Sequence, residues 1–274
     1  MAASETVAIE RLAVTDVEGG VALSTEAGWN QTEEDWRHFI DHGHAFGVRD
    51  PSGRLVASAA ALPYDGPFGF VSMVLVTPDW RRKGLATTLV DRCVDVLQAR
   101  GLVPVLDATA AGAQVYGRQG FVGQFGFDRW QGSIDSDATV AAVSAADIPV
   151  AALDAAASGA GRAGLMADFQ VRAGTRVVGD AGGFAMIRTG RRARQAGPVV
   201  ADSEDRALDL VGQLFTAAHG SVFIDVPSAW HRIGAWLRGR GFEIQRSFTR
   251  MALGRSEPFG RPDRLFAVAG PEFG

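Results

Sequence analysis

The stretch VSMVLVTPDWRRKGLATTLVDRCVDVL, residues 71–97, decides how the chain is read. It begins as an apolar run broken only by Ser72, the pattern of a well-buried strand. Thr77-Pro78 ends the strand, because proline brings no N–H to a ladder. After Arg81, Arg82 and Lys83, the set Leu85, Leu89, Cys93, Val96 and Leu97, widened by Val90 and Val94, recurs at helical spacing and stops at Gly101. A helix over 84–100 is therefore predicted. Cations ahead of its first turn oppose the helix dipole, so they call for an anion facing them. A helix N-terminus also offers unpaired N–H groups and suits a phosphate. Gly84 and Ala86 keep side-chain bulk away from the place a pyrophosphate would approach.

Working outward, alternation and turn residues predict a strand over 7–12, helices over 16–27 and 33–42, and strands over 45–49, 55–62 and 70–76. Thr32 is the expected cap of the second helix, with acidic residues behind it. Downstream come a strand at 103–108, a helix at 111–118 and a strand near 125–130. Residues 131–147 (QGSIDSDATVAAVSAAD) turn small and polar and read as a linker. The expected division is residues 1–134 and 135–274, each about the size of an ordinary domain.

The second half reads as an eroded copy of the first. PVLDATAAGAQVYGRQGF, ending at Phe121, and SVFIDVPSAWHRIGAWLRGRGF, ending at Phe242, each run from an apolar strand closing on Asp (Asp107, Asp225) through a helix to Gly-Phe. Upstream, the strand-like 197–201 and the helical 206–215 stand where 71–100 stands in the first half. The basic, glycine-bearing loop is missing there.

Bulk properties exclude several classes. With 274 residues, a net charge of -4 and 47% hydrophobic content, the chain is a globular protein without the basic surface that nucleic acid or an anionic membrane demands. The single Cys93 rules out an internal disulfide and sits on the apolar helix face as packing. His38, His42 and His44 lack an acidic partner at ligand spacing, so no metal is expected. No signal peptide or spanning segment is recognised, and a cytoplasmic enzyme is expected. A homodimer is compatible with this composition. The run 188–194 (RTGRRAR) is expected as a solvated loop.

Arg81-x-x-Gly84-x-Ala86, set between strand and helix, resembles the acetyl-CoA signature of the GNAT acetyltransferase superfamily. The resemblance implies an α/β fold (an α+β mixed sheet) of two tandem GNAT-like domains. Each would be a mostly antiparallel, splayed sheet flanked by helices, the second domain being degenerate. It implies acetyl-CoA as co-substrate, with the pantetheine arm along Val74, Leu75 and Val76. The pyrophosphate would lie on the loop Arg81, Arg82, Lys83, Gly84, Leu85 and Ala86, with Thr87 behind it. The stretch 108–121 looks like the family's short helix bearing a tyrosine before a Gly-Phe turn, which makes Tyr116 the expected general acid. A phenol of pKa about 10 can protonate a departing thiolate of pKa about 8.5.

For the general base, Asp107 ranks first, ahead of Glu26, Glu33, Glu34 and Asp35, and a water relay stays open. Trp29 and Asn30, in a Gly-Trp-Asn loop, are expected at the acceptor entrance, and Asp225 and Arg250 of the second half are expected to help bind substrate. The implied reaction is direct acetyl transfer in a ternary complex to a primary amine of a small molecule. Two other readings share the fold: transfer to a protein lysine or N-terminus, and an acyl-CoA-binding sensor without turnover.

Overall fold

The structure is a computed structural model and describes residues 8–135, 148–216 and 218–274. Packing divides it into two compact units, one reaching to Pro63 and taking in Gly69–Pro104, the other made of Tyr64–Phe68 and Val105–Gly274.

The first unit is an antiparallel sheet in the order β1 (Glu10–Arg11), β2 (His44–Arg49), β3 (Leu55–Pro63), β4 (Phe68–Val76). Helices α1 (Val17–Glu26) and α2 (Glu33–Asp41) pack on each other, and α3 (Leu85–Gln98) packs on β2 and β3. The expected cap of α2 is present in both directions: Thr32 Oγ accepts from the Asp35 N–H, and the Asp35 carboxylate accepts from the Thr32 N–H. Trp36 fixes how closely α1 approaches. Its indole N–H donates to Ser24 Oγ at 3.0 Å, and a Cβ on Gly20 would lie 2.4 Å from its ring. Leu85, Leu89, Val90, Cys93 and Leu97 form the buried face of α3, the spacing its sequence predicts.

The second unit is a mixed sheet in the order β5-β11-β6-β10-β9-β8-β7. Its strands are β5 (Val103–Ala108), β6 (Phe121–Ile134), β7 (Arg176–Asp180), β8 (Gly183–Arg188), β9 (Arg194–Val200), β10 (Gly220–Pro227) and β11 (Glu243–Leu253), with β12 (Leu265–Ala267) paired to β9. Only the β9–β10 pair is parallel among these ladders. Its helices are α4 (Ala110–Arg118), α5 (Val150–Ser158), α6 (Ala163–Val171), α7 (Glu204–Thr216) and α8 (His231–Arg238).

The two sequence repeats exchange their last strands inside this sheet. β6, which closes the first repeat, pairs with β10 of the second, and β11, which closes the second, pairs with β5 of the first. β6 and β11 also pair with each other, with Phe127 opposite Phe248 and their rings stacked at 5.1 Å.

Two expectations are corrected. Residues 131–134 are not linker but the end of β6, since Ile134 to Gln131 pair with Gly220 to Phe223. Of the remaining expected linker, 136–147 lie outside the described residues. Arg188 is not in a solvated loop: it ends β8, is buried, and places its guanidinium 3.7 Å from the centre of the Phe169 ring. The loop proper is 189–193.

Candidate active site

In the first unit the segment 74–87 is shaped by two left-handed residues and one bulge. Ala57, Ser58 and Ala60 pair with Val76, Leu75 and Ser72, so Met73 and Val74 together oppose Ala59. Met73 takes φ 53°, and Ser58 Oγ donates to its carbonyl at 2.8 Å, holding the bulge. The strand then breaks at Thr77-Pro78 into a single 3-10 turn, Pro78–Trp80. Arg81 Nε donates to the Val76 carbonyl at 3.1 Å, folding the loop back on the strand end. Arg82 and Gly84 take φ 61° and 79°.

Gly84 is the N-cap of α3, and the first turn carries no side-chain cap and no acidic residue. Nothing lies within 4 Å of a Cβ built on Gly84, so the space in front of the helix is open. Lys83 sits over the Trp80 ring at 4.3 Å, and Arg81, Arg82, Lys83 and Gly84 are all exposed. A helix end that is uncapped, open and ringed with cations fits the diphosphate of a coenzyme A. In the same unit Trp29 is half-buried and donates its backbone N–H to the Ser24 carbonyl at 2.8 Å, while Asn30 is buried.

The second unit offers a control. α7 occupies the matching place in the second repeat, but its first turn carries Glu204 and Asp205, and Ser203 Oγ accepts from the Arg206 N–H. That end already has its negative charge and would repel a phosphate.

Tyr116 lies on α4, whose N-cap Thr109 accepts from the Gly112 N–H at 3.2 Å. Its ring contacts Phe121 edge-on at 6.1 Å and leans back over the preceding turn, where a Cβ on Gly112 would be 3.2 Å away. No described protein group bonds the hydroxyl. Burial pushes its pKa above the ordinary 10.0, so the phenol keeps its proton. The other tyrosine, Tyr64, is structural: its hydroxyl donates to the Phe273 carbonyl at 2.7 Å.

Asp107, Asp225 and Arg250 are held in two matching ion pairs. The Asp107 side chain is 0% exposed, and Arg250 donates to its two oxygens at 2.9 and 2.8 Å. Asp225, equally buried, receives Arg129 at 2.9 Å on each oxygen and Gln195 Nε2 at 2.8 Å. Each pair ties the penultimate strand of one repeat to the last strand of the other. Asp107 is thus held in a strand clamp by both its oxygens, and Asp225 and Arg250 have their partners inside the sheet. Burial raises the Asp107 pKa, a shift that Arg250 opposes.

Arg129 and Gln195 were not legible from single motifs, yet a signal existed. Gly-Phe-x-x-Gln-x-x-Phe-x-Arg occurs at 120–129 and again at 241–250, making Arg129 and Arg250 equivalent. A third buried pair, Arg162 with Asp154 at 2.7 Å, had no sequence signal of this kind.

The fold and the cradle of the first repeat are those of an acyl-CoA transferase, and the second repeat carries the same order of strands and helices without the cradle. A model described as the Acetyltransferase (GNAT) family matches residues 10–121, and one described as an Acetyltransferase (GNAT) domain matches residues 150–267. The chain belongs to the GNAT acetyltransferase superfamily, as a tandem protein with a divergent C-terminal domain. A Bacillus subtilis (strain 168) protein described as an uncharacterized N-acetyltransferase, YitH, is 24% identical over 225 residues, 77% of this chain and 79% of its own. Among solved structures, a putative acetyltransferase from Pyrococcus horikoshii superposes with a TM-score of 0.83 at 19% identity, covering 98% of this chain and 96% of that one. A tandem GNAT protein from the clavulanic acid biosynthesis pathway gives 0.60 at 17% identity, covering 90% and 98%.

Proposed function

We propose that the chain moves an acetyl group from acetyl-CoA to a primary amine of a small molecule, by direct attack in a ternary complex. The observation that carries this reading is the uncapped, cation-ringed start of α3 beside the capped, acidic start of α7. The diphosphate lies on the amides from Arg82 to Ala86, and the pantetheine arm bonds the backbone from Val74 to Val76. The amine nitrogen attacks the thioester carbon, the C–S bond breaks, and the departing sulfur takes the Tyr116 proton. With both Asp107 oxygens held by Arg250, the ammonium proton goes to water. Trp29 and Asn30 are assigned to the acceptor entrance.

The test is release of free coenzyme A from acetyl-CoA across a panel of small amines and lysine-bearing peptides. Turnover with a small amine and none with peptides supports the reading. Turnover with peptides alone reassigns the acceptor to protein, and tight coenzyme A binding without turnover on any acceptor makes the chain a sensor.

A further inference from the structure

The second unit carries a cleft of about 200 Å³ whose walls include Asp128 and Trp130 of β6, Ser228 and Trp230 of the turn after β10, and His231 and Arg238 of α8. Its walls are preformed. The Trp230 indole N–H donates to the Leu265 carbonyl at 2.8 Å and its ring packs on Phe266 at 4.3 Å. The Asp128 carboxylate accepts from Ser228 Oγ at 3.1 Å and from Ser247 Oγ at 2.5 Å. The Arg238 guanidinium is held over the Trp130 ring at 5.3 Å.

Asp128 and Arg238 thus line one cleft with opposite charges. Among the described residues neither forms an ion pair with the other or with any third group. Neither charge has a counterpart at the equivalent position of the other repeat. At the spacing that carries Phe121 to Phe242, His231 and Arg238 replace Ala110 and Gly117 of α4, while Asp128 and Trp130 correspond to Thr249 and Met251. The cleft therefore carries charge and aromatic surface, drawn from β6 of the first repeat and α8 of the second, that Ala110, Gly117, Thr249 and Met251 do not supply.

A ligand that satisfies both charges at once carries an ammonium and a carboxylate a few bonds apart, with room for a side chain against the indoles. We propose that this cleft binds a free small α-amino acid, its ammonium on Asp128 and its carboxylate on Arg238.

Calorimetry and tryptophan fluorescence on the full chain test this, titrating L-alanine, L-threonine and L-phenylalanine against propionate and propylamine as single-charge controls. At least one amino acid is expected to bind at one per chain, about tenfold or more tighter than either control. Arg238→Gln and Asp128→Asn should each weaken it about tenfold or more, with coenzyme A binding unchanged. Arg238 is exposed and its replacement leaves the core intact. No binding by any of the three overturns the proposal. So does equal binding of the controls, or undiminished binding in the variants, which would place the amino acid elsewhere on the chain.

Discussion

Tyr116 and Asp107 are the two residues whose chemistry the surroundings decide most directly. Burial raises the Tyr116 pKa, and for an acid a raised pKa means the protonated form persists to higher pH. Tyr116→Phe should therefore lower kcat by about 100-fold with little change in the acetyl-CoA KM, since general-acid help is worth about 10²–10⁴-fold. The wild-type rate should not fall from loss of the acid until the pH passes about 10. A rate that declines between neutrality and that limit, or an undiminished Phe variant, removes Tyr116 from proton delivery. Asp107 makes the opposite prediction. Removing one partner of a buried, doubly bonded ion pair costs about 3–5 kcal/mol, because the other charge is left uncompensated. Asp107→Asn should lose stability of that order in urea unfolding, yet keep kcat within about threefold at temperatures where it is folded, against the about 10²-fold or greater loss expected of a missing base. A folded variant with kcat reduced by the larger factor would restore Asp107 as the base.

At the scale of elements, α3 was legible and β11 was not, for a physical reason. The buried positions of α3 recur at helical spacing over fourteen residues, and Gly84 and Gly101 bracket it, so its pattern, start and stop agree. β11 reads EIQRSFTRMAL and is exposed from Glu243 to Ser247, so no apolar alternation marks it; only its repeat relation to β6 does. Only 125–130 of β6 reads as strand in the sequence, because Gly123 and Gly132 flank that stretch. At Gly132 the bare backbone is needed: a Cβ would lie 2.5 Å from the Phe242 ring. The cradle was legible through Arg81, Gly84 and Ala86, whereas the Met73 bulge that shapes its approach left no mark in composition. The start of α3 also separates charge from geometry. Gly84 is left-handed, a conformation that asparagine and aspartate accept better than other residues, and a side chain there meets nothing. Gly84→Asn adds bulk without charge, so its coenzyme A affinity sets the baseline for the steric cost. Gly84→Asp puts a negative charge where the diphosphate belongs, so its Kd should rise about tenfold or more beyond that of the Asn variant by calorimetry. Equal affinities in the two variants would show that the α3 terminus does not carry the phosphate.

At the scale of the whole molecule, the strand exchange makes neither sequence repeat self-sufficient. β5 finds its antiparallel partner β11 in the second repeat, and β6 lies between β10 and β11 of that same repeat. The clamps follow the exchange, Arg250 reaching Asp107 and Arg129 reaching Asp225. This explains why a second domain without a phosphate cradle is retained: its last strand completes the sheet from which α4 and Tyr116 project. Residues 1–134 expressed alone would leave both edges of β6 and one edge of β5 unpaired, and would strand the Asp107 carboxylate in an apolar setting without its arginine. That fragment should show no cooperative thermal transition by circular dichroism and should aggregate. Co-expression with residues 135–274 as a separate chain should restore a folded complex that binds coenzyme A at one site per pair of fragments, because α7 begins with Glu204 and Asp205 and offers no second cradle. A monomeric 1–134 fragment that melts cooperatively would show that the first repeat closes its sheet without β11, and two coenzyme A sites per complex would show that the acidic start of α7 does not exclude a diphosphate.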